Sequence, residues 1–250
     1  NTPMSLFEHK IALITGSARR IGAHTAEFFH QCDYDIVLHY RSSGDSAKNL
    51  RDQLNSARPH SCIALHADLS DPAAWEQLAE QVRSWKHRLD LLVNNASSYY
   101  PTDFGTTTLE QWNDLFASNA TAPFFLTQHL LPLLKQSKGN VVNIIDVNAD
   151  RPRPDFTPYC MAKAALKAMT LSLARALAPD VRVNGVSPGS ILWPTAGQLQ
   201  ESDQIAILKN TPLQTLGTPD DIAKTIYFLA ENAPFITGQI IAVDGGFSLV

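Results

Sequence analysis

The stretch IALITGSARRIG, residues 11–22, decides the fold of this chain. A run of four apolar residues, typical of a strand buried on both faces, leads directly into a loop bounded by Gly16 and Gly22. A strand that turns through glycine into a helix offers an anion free backbone N–H groups and the positive end of the helix dipole. The stretch therefore predicts a phosphate-binding loop, in which the bulky Arg19 and Arg20 are unexpected.

The same alternation of strand and helix continues along the rest of the chain. Short apolar runs predict strands at 10–16, 35–40, 61–67, 89–95, 139–146, 181–188 and 239–245. Amphipathic spacing predicts helices at 22–31, 45–57, 71–87, 107–136, 158–178 and 218–231. Near-continuous apolar strands separated by helices predict a parallel sheet covered on both faces. We expect an α/β fold: one doubly wound Rossmann-type domain over residues 1–250, with about seven parallel strands.

Composition excludes several classes of function. The chain has 250 residues, 44% of them hydrophobic, and a formal net charge of -4, which does not suggest a nucleic-acid partner. It has no apolar run near the length of a membrane span and no lipidation signal, so we expect a soluble, cytoplasmic protein. Its three cysteines are odd in number and lack CxxC spacing. We expect reduced thiols and no metal site.

The least regular segment lies at about 190–216, where SILWPTAGQLQESDQIAILKNTPLQTLG follows a strand. Ligands of open α/β sheets bind at the carboxyl ends of the strands, so this segment is a candidate substrate loop. A mobile lid is one interpretation, with Trp193 as a candidate contact. A plain long connection is the other.

Three later motifs support a catalytic function. NNAS (94–97) and SPGS (187–190) end two predicted strands, and YCMAK places Tyr159 and Lys163 one helical turn apart on the same face. A free phenol, with a pKa near 10, is a weak acid–base partner at neutral pH. We expect the neighbouring lysine cation to lower the pKa of Tyr159.

Together with ITGQIIAVDGG (236–246), these motifs in this order resemble the short-chain dehydrogenase/reductase family over essentially the whole chain. Two positions depart from the family pattern. Arg20 replaces the middle glycine of the loop, and Asp146 stands thirteen residues before Tyr159, where the family normally has serine. With LHYRSS (38–43) and NNASSYYPT (94–102), these departures resemble the pteridine reductase branch.

The resemblance implies a nicotinamide cofactor, and the end of the second strand favours NADPH. An enzyme selecting NAD places an acid there to bind the ribose hydroxyls. This chain offers Arg41 and two serines, which suit a 2′-phosphate, with no carboxylate close by in the sequence. The alternative is that Arg41 is a solvated loop cation. The expected cofactor-binding residues are Gly16, Arg20, Ile21, Gly22, His39, Tyr40, Arg41, Ser42, Asp68, Leu69, Asn95, Ala96, Ser97, Tyr159, Lys163, Pro188 and Gly189.

Asp146 restricts the chemistry. A ketone reductase needs a hydrogen-bond donor aimed at an oxygen that becomes anionic, whereas an ionised carboxylate can only accept and its charge opposes the oxyanion. A carboxylate suits reduction of a C=N bond, because it accepts from ring N–H groups, orients the phenol and helps to relay a proton. The predicted catalytic residues are Asp146, Tyr159, Lys163 and Asn119, the last supporting a proton-carrying water according to the resemblance.

In the pteridine reductase branch, Arg20 contacts both the pyrophosphate and the pterin, Tyr99 stacks on the pterin and Ser97 bonds its edge. The predicted substrate-binding residues are Arg20, Ser97, Tyr99, Asp146 and Tyr159, with Arg19 interpreted as a surface cation. The predicted function is NADPH-dependent reduction of dihydrobiopterin, dihydromonapterin or dihydrofolate, with oxidised pterins as further candidates. A 3-oxoacyl-thioester or ketone reductase and a non-catalytic NADPH-binding regulatory module are the alternatives. The resemblance also implies a homotetramer.

Overall fold

In the computed structural model, which describes residues 9–191 and 201–250, seven parallel strands form one sheet. Their order across the sheet is β3-β2-β1-β4-β5-β6-β7. The strands are β1 Ile11–Ile14, β2 Asp35–Tyr40, β3 Cys62–His66, β4 Leu91–Asn94, β5 Asn140–Ile144, β6 Arg182–Pro188 and β7 Ile240–Val243. Each lies within its predicted range, and the predicted ranges extend beyond the strands by up to two residues at each end.

Within residues 9–191 and 201–250, eight α-helices connect the strands: α1 Arg20–Gln31, α2 Gly44–Ala57, α3 Pro72–Lys86, α4 Leu109–Phe116, α5 Ala122–Ser137, α6 Thr157–Leu177, α7 Glu201–Lys209 and α8 Pro219–Tyr227. Side-chain caps fix two of the helix starts. Asp71 accepts a hydrogen bond from the backbone N–H of Ala73 before α3, and Thr218 forms a reciprocal capping box with Asp221 before α8.

Alternate residues of β1 pack into two separate cores, one on each face of the sheet. Ile11 and Leu13 pack with side chains of α3 and α5, whereas Ala12 and Ile14 pack with side chains of α1, α2 and α8. Successive side chains of a strand point to opposite faces, so a strand buried on both faces must be apolar throughout. The doubly wound α/β fold predicted from the sequence is confirmed.

Three sequence predictions need correction. The helix predicted at 218–231 is α-helical only over α8 and continues as a π-helical turn, Phe228–Asn232. The helix predicted at 107–136 is interrupted by a π-helical turn, Ala117–Thr121, between α4 and α5. The irregular segment predicted at 190–216 contains α7, which its weak amphipathic pattern concealed. Residues 192–200, including Trp193, lie outside the described residues, so the predicted substrate loop is described only in part.

All three cysteines are free, as expected. In the two described ranges, no helix combines the length and apolar character that a membrane crossing requires.

The strand order reverses direction between β1 and β4, which are sequence-distant neighbours at the centre of the sheet. The connections that follow β1 and β4 run to opposite sides of the sheet, and this leaves a crevice outside the carboxyl ends of these two strands. The glycine loop after β1 and the NNAS motif at the end of β4 meet at this crevice.

Candidate active site

At Gly16 and Gly22, the chain after β1 is packed too closely for any side chain larger than hydrogen. Gly16 has a φ of +64°, and a Cβ there would lie 2.8 Å from the Cα of Ala96. A Cβ on Gly22 would lie 2.4 Å from the Gly16 carbonyl oxygen. The loop therefore folds tightly against the end of β4 and leads directly into the N-terminus of α1, the geometry of an anion site.

Arg20 also adopts a left-handed backbone conformation, with a φ of +56°. Glycine, which the resemblance expects at this position, adopts such a conformation without strain, whereas a left-handed non-glycine residue costs about 1 kcal/mol. The side chains of Arg20 and Arg19 are exposed and both residues line the same cavity. Arg19, interpreted from the sequence as a surface cation, lies at the mouth of the site.

One cavity of about 420 Å³ lies over the carboxyl ends of the first four strands. Every residue expected to bind the cofactor in the loops after β1, β2, β3 and β4 lines it. Six lining residues were not assigned to the cofactor from the sequence: Ala18, Arg19, Ser70, Ser98, Asp114 and Ser118. Ser43, one of the two serines expected to suit a 2′-phosphate, also lines the cavity. Serine and alanine residues in loops give no sequence signal of this kind, because such residues are common in all loops.

His39 links the glycine loop to the residue after β3 through hydrogen bonds of its two ring nitrogens. The Gly16 backbone N–H donates to its Nδ1 at 3.0 Å, and its Nε2 donates to the Ala67 carbonyl at 3.0 Å. Burial lowers the pKa of His39 to about 4, so the ring is neutral at pH 7. Both ring nitrogens are engaged within the protein, and the imidazole positions the loop rather than offering a free nitrogen to a ligand.

Arg41 has a partner that the sequence did not indicate. Its Nη1 lies 3.6 Å from Oδ1 of Asp114, a residue of α4 that also lines the cavity. The expectation that no carboxylate stands near Arg41 is therefore wrong in three dimensions, because the two positions are far apart in the chain. Tyr100 Oη donates to the other oxygen of Asp114 at 2.9 Å.

Asp68, at the end of β3, lines the cavity as an ionised acceptor. Its Oδ1 accepts from the Ser70 backbone N–H at 3.0 Å and from Ser70 Oγ at 2.8 Å. These hydrogen bonds lower the pKa of Asp68.

Tyr159 and Asp146 contact each other directly. Tyr159 Oη donates to Asp146 Oδ2 at 2.7 Å, while Asp146 Oδ1 accepts from the Asn148 backbone N–H at 2.8 Å. Burial, and then the negative charge of Asp146, raise the pKa of Tyr159 well above its ordinary value. This is opposite to the lowering expected from the sequence, because burial and the carboxylate together outweigh the lysine.

Lys163 lies beneath the tyrosine, with its Nζ 5.7 Å from the centre of the Tyr159 ring. The Nζ donates to the Ile144 carbonyl at 2.8 Å. Burial lowers the pKa of Lys163 to about 8, against the opposing effect of the Asp146 charge. The lysine is therefore mostly a cation at pH 7, within ionic reach of the acid–base pair.

Asn119 is buried in the π-helical turn and holds the strand-end motif after β4. Its Nδ2 donates to the carbonyls of Leu115 and Ser98, both at 2.9 Å, and its Oδ1 accepts from Ser97 Oγ at 2.7 Å. The π-helical turn thus places this amide against Ser97 and Ser98, which both line the cavity.

Tyr99 is 52% exposed and belongs to an aromatic cluster beside Tyr159. Its ring stacks on Phe156 with centroids 4.6 Å apart and meets Tyr159 edge to face at 4.8 Å. Phe156, just before α6, was missed because a lone aromatic before a helix is usually a core residue; here it supports the half-exposed ring.

The last two expected cofactor residues lie further along the sheet. Pro188 ends β6, and Gly189 donates its N–H to the Val243 carbonyl at 3.0 Å. Neither of them lines the cavity in the part of the chain that the structure describes, and neither do Tyr159 and Lys163, which were also expected to bind the cofactor. The structure thus brings the loops after β1 to β4 into one cavity, with the catalytic candidates clustered beside it.

Comparison with known proteins identifies the family. Residues 16–248 match the family model described as enoyl-(acyl carrier protein) reductase. Pteridine reductase 1 of Leishmania tarentolae is 35% identical over an alignment of 280 residues covering 96% of each chain. An uncharacterized oxidoreductase of Mycobacterium tuberculosis is 34% identical, over 98% of this chain and 94% of its own. The 3-oxoacyl-[acyl-carrier-protein] reductase FabG of Thermotoga maritima is 32% identical, over 96% and 98%. The chain belongs to the short-chain dehydrogenase/reductase family of oxidoreductases, which use a nicotinamide cofactor.

Proposed function

We propose that this protein is an NADPH-dependent pteridine reductase, which converts a dihydropterin or dihydrofolate into its tetrahydro form. The observation that carries the proposal is the 2.7 Å hydrogen bond from Tyr159 to Asp146. It places a carboxylate beside the acid–base tyrosine, where a ketone reductase needs a neutral donor.

The cavity fits a dinucleotide carrying a 2′-phosphate. The tight glycine loop and the N-terminus of α1 suit a pyrophosphate, and exposed Arg20 lies on the same loop. Arg41 and Ser42 line the part after β2, where a 2′-phosphate is bound in enzymes that select NADPH. When bound, the cofactor supplies a hydride to the substrate carbon.

Asp146 favours a nitrogen heterocycle over a carbonyl compound. An ionised carboxylate accepts hydrogen bonds from ring N–H or amino groups but cannot donate to a developing oxyanion. Tyr159 keeps its proton at neutral pH, because its pKa is raised, and its Oη is fixed on the carboxylate. The pair therefore holds a proton at Tyr159 Oη next to a group that orients an N–H-bearing ring.

The aromatic wall supports the same substrate class. Tyr99 is half exposed and is backed by Phe156, so it offers a flat ring next to Tyr159. Offset stacking of a planar heterocycle on such a ring contributes about 0.5–1.5 kcal/mol. Ser97, two residues before Tyr99, lines the cavity, and its Oγ donates to Asn119 Oδ1. We assign Arg20, Ser97, Tyr99, Asp146 and Tyr159 to the substrate.

A second candidate is a 3-oxoacyl-thioester reductase, which the 32% identity to FabG favours. This alternative requires Asp146 to act where a serine donor is expected. The cluster of Asn119, Asp146, Tyr159 and Lys163 argues against a non-catalytic module, since a protein that only binds the cofactor needs no acid–base pair. The homotetramer stays a prediction of the resemblance.

Initial rates of NADPH oxidation with dihydrobiopterin, dihydrofolate, folic acid and an acetoacetyl thioester test the proposal. We expect a reduced pterin or folate to give the highest kcat/KM by at least about tenfold. Faster turnover of the thioester would establish the second candidate instead. Absence of turnover with the whole panel would favour the binding module.

A further inference from the structure

We propose that Asp114 is a specificity-determining residue, which restrains Arg41 and weakens selection of a 2′-phosphorylated cofactor. The inference rests on the proposed use of NADPH and names a residue that acts on that choice. No sequence motif indicated it, since Asp114 lies on α4, remote from the glycine loop and from the end of β2.

The geometry fixes Asp114 at the rim of the cofactor cavity. Its Oδ1 lies 3.6 Å from Arg41 Nη1, and both residues line the cavity. The Arg41 side chain is 53% exposed and that of Asp114 is 33% exposed, so both charges are accessible to a ligand. The guanidinium that suits a 2′-phosphate thus already has an anionic partner.

Tyr100 holds the carboxylate in this position. Its Oη donates to Asp114 Oδ2 at 2.9 Å and lies 3.2 Å from the Gln111 carbonyl. Burial, followed by the hydrogen bond to Asp114, raises the pKa of Tyr100 to about 12, so the phenol remains a donor throughout the physiological range. Asp114 is therefore a fixed anion rather than a freely rotating surface carboxylate.

A 2′-phosphate bound to Arg41 must compete with Asp114 for the guanidinium and lie within ionic reach of its carboxylate. Both effects disfavour the phosphate, and neither acts on an uncharged 2′-hydroxyl. Because the pair is partly exposed, solvent screening keeps the effect modest. Removing the charge of Asp114 should tighten binding of a 2′-phosphorylated ligand about three- to tenfold.

The test measures the dissociation constants of 2′,5′-ADP and of ADP by calorimetry, which requires no turnover. For Asp114→Asn, we expect 2′,5′-ADP to bind about three- to tenfold more tightly and ADP to change by less than about twofold. Asp180→Asn is the matched control, because Asp180 also lies 3.6 Å from a cation, Lys135, and is not among the residues lining the cavity. This control should change neither constant.

Unchanged or weaker binding of 2′,5′-ADP to Asp114→Asn, with ADP binding retained, would overturn the proposal. If that variant loses both ligands through misfolding, Asp114→Ser replaces it, since a serine hydroxyl can still accept from Tyr100 without a charge. Measurements on the wild-type protein distinguish a failure of the proposed use of NADPH from a failure of the role proposed for Asp114. If the wild-type protein binds NADPH no more tightly than NADH, the proposed use of NADPH fails, whatever the variant does.

Discussion

The two halves of the cleft use charge in opposite ways. The cofactor half, formed by the loops after β1, β2 and β3, exposes Arg19, Arg20 and Arg41 around an open cavity. The proton half, formed by Asn119, Asp146, Tyr159 and Lys163, is largely buried, and its polar groups bond to one another or to backbone.

This difference has a physical reason. Exposed cations bind an anionic ligand at little desolvation cost, but they have little control over its protonation. A buried network shifts pKa values strongly, because desolvation and fixed charges act at short range. The comparison predicts that changes in the proton half alter rates, whereas changes in the cofactor half alter affinities.

The largest effect is expected from Tyr159→Phe in the proton half. Loss of the phenolic proton should lower kcat by about a thousandfold, while the dissociation constant of NADPH changes little. Tyr227→Phe, on α8 with its ring packed against Phe28, is the control and should retain full activity. Stopped-flow rates and fluorescence titration separate the two quantities. A loss of NADPH affinity in Tyr159→Phe would contradict the expectation that the proton half affects rates and not cofactor affinity.

The cofactor half also contains a buried group with a strongly shifted pKa, His39. Its pKa is lowered from 6.5 to about 4, so the unfolded chain binds more protons than the folded one between these values. The neutral His39 ring therefore costs no stability above pH 6.5. As the pH drops toward 4, His39 lowers the free energy of unfolding, by about 2 kcal/mol between pH 7 and pH 5. In urea titrations at the two pH values, His39→Asn should lose less stability than the wild type by this amount. An identical loss in both proteins contradicts the assignment.

Arg41→Ala tests the exposed charges. NADPH should bind about tenfold more weakly, and NADH should be nearly unaffected, because only the 2′-phosphate interacts with the guanidinium. Arg51→Ala, which removes a surface cation of α2 paired with Asp52, serves as the control. Equal losses of affinity for NADPH and NADH would contradict the assignment of Arg41 to the 2′-phosphate.

The smallest effect concerns the backbone of Arg20. At a φ of +56°, glycine is favoured over alanine, so Arg20→Gly should be more stable than Arg20→Ala by about 1 kcal/mol. Both variants lack the guanidinium and should bind NADPH more weakly than the wild type. Chemical denaturation of the pair isolates the conformational contribution. An alanine variant as stable as the glycine variant is incompatible with the left-handed conformation.

The sequence predicted what depends on local pattern. Apolar runs located every strand that the structure describes, and amphipathic spacing located α1, α2, α3 and α6 to within two residues at each end. The irregular composition after residue 190 concealed α7, because a short helix with a weak amphipathic pattern has little local signal.

What the sequence did not predict depends on contacts through space. Asp114 reaches Arg41 only because the fold brings α4 close to the loop after β2, and Phe156 reaches Tyr99 only because two loops meet. The pKa of Tyr159 was assigned the wrong direction, since its burial and its distance from Asp146 are properties of the folded chain.

We expect the carboxylate of Asp146 to select a nitrogen heterocycle over a carbonyl compound. The ratio of kcat/KM for dihydrobiopterin to kcat/KM for an acetoacetyl thioester, measured in the wild type, Asp146→Ser and Asp146→Asn, tests this role. Asp146→Ser should lower this ratio by at least about a hundredfold and raise turnover of the thioester, since serine supplies the missing donor. Asp146→Asn, which keeps the size without the charge, should also lower the rate with the pterin. An unchanged ratio in Asp146→Ser would show that the carboxylate does not select the substrate.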